Sequence, residues 1–189
     1  MRRLNTLLLC IALVFGFSAC IFNSSNQSAK ADAKLSKNLV GSYYHIQILS
    51  EDESDFGDFQ VSTIESVEKF NADKSCTEET VLKGVMFDED WDEYDMELKI
   101  VVSGTWSVVD SCIQYNYALD QTTLELVEPN ITDPETKAEV TEYLSQFLLP
   151  SIKEELQANE QKPPKIVEIN KIFLVVRFND GEETTLLRQ

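Results

Sequence analysis

The chain has 189 residues, 33 acidic against 16 basic side chains, a formal net charge of −17 and one histidine. That balance argues against nucleic acid as a partner and against close attachment of the folded body to anionic lipid, since phosphate binding needs clustered Lys and Arg. An apolar share of 43% argues against global disorder, and the length suits one domain with a real core.

Arg2 and Arg3 open the chain, Leu4 to Phe17 follow without a charge, and Phe17-Ser18-Ala19-Cys20 closes the run. A basic start, a short apolar stretch and small residues before a cut site are the parts of an export signal. The run is shorter than the roughly 20 residues of a membrane-spanning helix. The small pair followed by Cys20 resembles the lipobox of bacterial lipoproteins. That resemblance implies a signal peptide over 1–19, lipidation of Cys20 with palmitate-type chains, and a chain held to the membrane by lipid alone. Ile21 stands where an Asp would retain such a protein at the inner membrane of enteric-type bacteria. The expected location is therefore the cell outer membrane, facing the periplasm.

Cys10 leaves with the signal and Cys20 is the lipid site, so Cys76 and Cys112 remain. In an oxidising compartment that pair is expected as a disulfide, against the alternative of two buried free thiols. Residues 20–38, rich in Ser, Asn, Ala and Lys without an apolar period, read as a lipidated flexible tether. The folded domain is expected over 39–189.

Leu39 to Ser50 is dense in β-branched and aromatic residues and reads as the first strand. Val61 to Phe70 is a second strand, with a helical reading left open because Val61, Ile64 and Val67 also share a helix face. Asn71-Ala72-Asp73-Lys74 supplies turn chemistry. Ser75 to Phe87 is a third strand, with Gly84 marking a bulge or bend. Asp88 to Asp95 reads as a charged hairpin tip carrying Trp91 and Tyr94. Met96 to Val109 is the longest strand, with Leu98, Ile100 and Val102 on one face. Asp110-Ser111 turns it into Cys112 to Ala118, and Asp120-Gln121 turns that into Thr122 to Val127. Tight polar turns without helices between them imply an antiparallel meander.

The rhythm changes at Asp133-Pro134-Glu135, a helix start with Asp as N-cap and Pro at the first helical position. Val140, Leu144, Phe147, Leu148, Ile152 and Leu156 then recur at three- and four-residue spacing. They predict one amphipathic helix over about 134–158, kinked at Pro150. Lys165 to Ile169, Lys171 to Phe178 and Thr184 to Leu187 return to strands, the last two joined through Asn179-Asp180-Gly181. Eight or nine short antiparallel strands with a late helix suggest a closed barrel.

Three motifs carry a family resemblance. Leu39-Val40-Gly41-Ser42-Tyr43 resembles the Gly-x-Trp opening of lipocalin-like domains, with Tyr43 in place of the Trp. Phe70-Asn71-Ala72-Asp73-Lys74-Ser75 is similar to the F-x-x-D-G-T hairpin of bacterial lipocalin-like lipoproteins, with Lys74 in place of Gly. Ser103-Gly104-Thr105-Trp106 resembles the second Gly-x-Trp strand, its Trp intact. The resemblance covers Leu39 to Val127 and the terminal strands. It implies a lipocalin-like β-barrel that holds a small apolar ligand, and it transfers no catalytic residue. If Tyr43 plugs the floor, Gly41 and His45 share its face and Tyr44, Ile46 and Ile48 face out; a bulge would reverse this.

Candidate chemistry is sparse. His45 has no second histidine with which to build a metal site or triad. The tip Asp88 to Asp95 offers oxygen ligands of the kind calcium takes, but without the EF-hand layout, and reads as a solvated loop. Acids are so numerous that no pair stands out for glycoside chemistry, and no Gly-x-Ser-x-Gly, Ser-x-x-Lys or phosphate loop is present. The expectation is a protein without enzyme activity, cofactor or metal. Its first reading is a binder of a small apolar ligand at Tyr43, Tyr44, Trp106, Tyr115 and Tyr117, which requires a cavity of roughly 300 Å³ or more. The alternative is a protein-interaction or envelope-assembly module using the tip at 88–95 or the late helix.

Overall fold

The computed structural model describes residues 26–49, 59–87, 93–129, 133–178 and 180–189. The export signal, Cys20 and Trp91 lie outside them. A helix α1 (Asn26–Leu39) leads into β1 (Gly41–Ile48), β2 (Phe59–Phe70), β3 (Ser75–Phe87), β4 (Glu93–Val109), β5 (Cys112–Tyr117) and β6 (Thr123–Pro129). Helix α2 runs from Pro134 to Glu160, and β7 (Lys165–Ile169), β8 (Phe173–Arg177) and β9 (Glu183–Arg188) complete the chain. Every pairing is antiparallel. The circuit β1-β2-β3-β4-β5-β7-β8-β9 returns to β1, an eight-stranded closed barrel with β6 as an extra strand.

The tight turns form where their chemistry asks for them. Asp110 and Ser111 both take positive φ, 52° and 64°, the geometry that lets a two-residue hairpin follow strand twist. Asp73 accepts from the Ser75 amide at 2.9 Å, and Lys74 sits at φ 74°, the left-handed region that favours Gly. Gly84 lies opposite a bulge rather than in one: the β2 register shifts between Val61 and Thr63. A Cβ on Gly84 would lie 2.0 Å from the Gln60 carbonyl oxygen, so the bulged strand comes that close only because no side chain is there.

The meander expectation fails at β6. β5 has six residues and pairs along β4 only from Gly104 to Val109. A 3₁₀ turn at Leu119–Gln121 then sends the chain back along the vacant half of the same β4 edge, where β6 pairs from Met96 to Val101. β4, at 17 residues, is long enough to serve both. Within the expected tether, the described part is ordered: Asn26–Leu39 is helical and docked. Asp32 accepts from the amides of Asp110 and Ser111, each at 2.9 Å, Leu35 packs on the lower core and Leu39 is wholly buried.

Alternation divides the strands as a barrel requires. Two apolar layers fill the interior. The lower one joins Tyr43, Phe70, Trp106, Ile113, Leu174 and Leu186. The upper one joins Ile64, Leu82, Leu98 and Ile100 to Val140, Leu144, Leu148, Ile152 and Leu156 of α2. The helix stripe is therefore core, laid against the inner face of the long strands. Near Pro150 the helix widens into a π segment over Leu144–Leu148, the accommodation expected where a ring crowds the carbonyl four residues back.

Candidate functional site

Tyr43 does face inward. It is wholly buried, meets Phe70 edge-on at 5.9 Å, and Phe70 meets Trp106 edge-on at 5.3 Å. The Trp106 indole N–H donates to the Ser75 carbonyl at 3.1 Å, and Lys74 Nζ lies 3.7 Å from its ring centroid. Arg188 closes this floor from β9, its guanidinium 5.5 Å from the Tyr43 ring centroid and donating to the carbonyls of Asn38 and Val40. Tyr43 and Trp106 are thus structural plugs. Arg188 was not singled out in the sequence, because its partners are backbone carbonyls about 150 residues away.

Between the two apolar layers lies a polar one. Glu68 and Glu78 are direct cross-strand partners on β2 and β3, both turned inward, beside Ser66, Thr80, Tyr115 and Tyr117. Tyr115 and Tyr117 stack at 5.2 Å with an interplanar angle of 9°. Tyr115 hydrogen-bonds Glu68, and Thr80 donates to Glu78 at 3.2 Å. Burial pushes the Glu68 carboxyl up to about 7. Burial first, and then the Glu68 charge, raise Glu78 well above the usual carboxylate range. Two acids so placed cannot both ionise cheaply, so the pair keeps a proton near neutrality. The Tyr115 and Tyr117 hydroxyls are also pushed well up, chiefly by burial. Glu160, at the end of α2, accepts from the Tyr117 amide at 2.5 Å and ties helix to barrel.

The space that Ser66, Glu68, Glu78, Tyr115 and Tyr117 enclose with residues such as His45 and Val176 is about 30 Å³. That holds one or two waters, against the 300 Å³ or more of a ligand pocket. Of the expected ligand-binding set, Tyr115 and Tyr117 line this chamber, Tyr43 and Trp106 belong to the floor, and Tyr44 is outside. The barrel brings no five-membered aromatic site together.

Tyr44 instead lines a recess of about 360 Å³ in the outer wall, with Ile46, Gln47, Glu182, Glu183, Thr185 and Leu187. Its cause is the β1–β9 seam, which holds only two register pairs, Tyr43 with Arg188 and Tyr44 with Leu187. Beyond these the strands part. His45 and Thr184 line both the recess and the inner chamber, and the His45 ring hydrogen-bonds the Thr185 backbone across the gap. Burial lowers the His45 pKa, opposed by that bond. Ile46 is 47%, Ile48 78% and Leu187 54% exposed, a concentration of apolar surface on an acidic molecule.

Cys76 and Cys112 do not pair. Cys76 is a free, buried thiol, pushed up to about 12 by burial and by Glu68 and Glu78. Cys76 pairs across β4 with Gly104, and Cys112 with Val109. Five residues of strand separate them, about 17 Å, against the 4.4–6.8 Å between Cα atoms of a disulfide. Among the described residues no three His, Cys, Asp or Glu side chains are placed to hold a metal, and no helix is long and apolar enough to cross a membrane. No protein-family model matches the chain, and no curated protein matches it.

Proposed function

We propose that this chain is a non-catalytic, lipid-anchored protein of the bacterial envelope, and that its barrel recognises another protein through its outer wall. The observation that carries the second half is the contrast between inside and outside. A closed antiparallel barrel is compatible with ligand binding, but carriage of a small apolar molecule would require the chamber to grow about tenfold around two carboxyls. The α2 stripe is occupied by core contacts, and of the tip only Glu93 to Asp95 is described, at the start of β4. Among the described residues the wall cleft remains open, and exposed apolar side chains beside unpaired strand edge are a recognised docking feature.

The anchor reading rests on Arg2-Arg3, the uncharged run and Ser18-Ala19-Cys20. Cys20 and Asn26 are six positions apart, so a lipid on Cys20 would lie within about 20 Å of the start of α1. Asp32 holds α1 beside the β4–β5 hairpin, so under the anchor reading that end of the barrel would face the membrane.

Two measurements test the proposal. Cys20→Ala should abolish labelling by a fatty-acid probe; undiminished labelling overturns the anchor. A photo-crosslinking side chain at Ile48 or Leu187 should capture a discrete partner in cells, while one at Glu142 on the exposed face of α2 should not. Equal capture, or none at either, overturns recognition through the wall.

A further inference from the structure

We infer that the free edge of β1 in the wall cleft is a β-augmentation site, which takes an extended segment of a partner protein carrying basic and apolar side chains in alternation. This rests on the wall-recognition reading and names its geometry and chemistry.

Backbone direction decides the edge. The Ser42 carbonyl accepts from the Gln189 amide at 2.9 Å, so Ser42 faces β9. The Leu49 amide donates to the Ser62 carbonyl of β2 at 3.0 Å, so Leu49 faces the other way. Strict alternation then points the amides and carbonyls of Tyr44, Ile46 and Ile48 toward β9. Tyr44 finds Leu187 there, and the register ends. Ile46 and Ile48 therefore present two donors and two acceptors to the cleft, on a strand whose opposite edge is held by β2 through Thr63. On the β9 side the same alternation turns Thr185 inward to the gap, and there the His45 ring already bonds its backbone. Among the described residues, the β1 edge is the open one.

The occupant follows from what surrounds that edge. Outward side chains of the added strand would lie between Ile46 and Leu187, which asks for apolar residues at alternate positions. Glu182 and Glu183 stand at the rim, the latter bridged to Arg177, and no Lys or Arg among the described residues lines the recess itself. Glu182 and the acidic net charge of the chain therefore select a basic segment by charge complementarity. A second copy of this chain, at −17, is disfavoured by the same charge. Edges this exposed are ordinarily blunted by a charge or a proline; between Ile46 and Ile48 there is only Gln47.

The probe is a short capped peptide alternating lysine and valine, added to the mature full-length chain in detergent, with amide exchange read by mass spectrometry. With peptide at about ten times its Kd, exchange at the Ile46 and Ile48 amides should slow about tenfold. A peptide with proline at its centre should lose this protection, and one with glutamate for lysine should bind at least about tenfold more weakly. Ile46→Lys, a change at an exposed side chain, should abolish protection while leaving the circular dichroism of the barrel unchanged. Equal binding of the parent and proline peptides, or protection elsewhere but not at positions 46 and 48, overturns strand addition. Slowed exchange at these amides on raising protein concentration without peptide would mean self-pairing, and overturns the basic partner. Capture of a partner by a crosslinker at Ile48, combined with no protection in the peptide experiment, leaves wall recognition standing and removes β-augmentation.

Discussion

Replacing Glu68 by Gln keeps the shape of the side chain and the acceptor for the Tyr115 hydroxyl, and removes one ionisation from the barrel interior. The carboxyl rises from an ordinary 4.5 to about 7, chiefly through burial. The folded state thus holds this proton in a window where the unfolded chain has released it. Stability then falls as pH rises, from the unfolded value near 4.5 up to the folded value near 7. A gap of that width corresponds to about 3 kcal/mol. Below pH 4.5 both states are protonated and the carboxyl contributes no pH dependence. Glu68→Gln should therefore match the parent near pH 4.5 and exceed it by up to about 3 kcal/mol at pH 8. Loss of the Glu68 charge also lets Glu78 ionise more easily, which adds to the difference in the same direction. His45, lowered by burial, opposes this trend: the unfolded chain takes up its proton first as pH falls, so its effect grows toward acid. It is common to both proteins and cancels in the comparison. Urea unfolding followed by tryptophan fluorescence between pH 4.5 and 8 gives the difference directly. A gap that does not change with pH, or a variant less stable than the parent at pH 8, would refute the placement of Glu68 inside the barrel.

Three further outcomes check the fold. Trp106→Ala should cost about 3–5 kcal/mol, as large aromatic truncations in cores do, because the ring is 3% exposed and its N–H is bonded; a near-neutral urea midpoint would remove it from the floor. Gly84→Ala should cost about 1–3 kcal/mol through overpacking against the Gln60 carbonyl, read from the same unfolding curves. Cys76 should resist thiol reagents at pH 8 in the native protein and react on denaturation, since a buried thiol raised to about 12 is almost entirely unionised there; fast native labelling would contradict its burial.

Local chemistry was legible. Asn71–Lys74 and Asp110–Ser111 form the turns their residues call for, period-two runs became strands, and five residues of the stripe from Val140 to Leu156 became core. What failed depended on distant partners. The pairing of β6 with β4 rather than β5 follows from relative strand lengths, which boundaries read from sequence do not resolve. Helix α1 has little apolar content of its own and is held by Asp32 on a hairpin 78 residues away; Leu35 and Leu39, four apart, were its only signal. Glu68 and Glu78 were hidden among 33 acids, since only the cross-strand register shows that these two face inward together. Cys76 and Cys112 were paired by compartment and count, an argument blind to the five-position offset along β4 between their neighbours Gly104 and Val109. The β1 face, left open by the sequence, was decided by Tyr43 in the floor.

The central claim is that the barrel is filled and works from its outside. Native mass spectrometry of the protein purified from membranes tests it most directly. The mass should equal the polypeptide with its covalent lipid and nothing more. A stoichiometric small molecule, retained on gentle ionisation and shed on activation, would contradict the claim and return the function to the barrel interior.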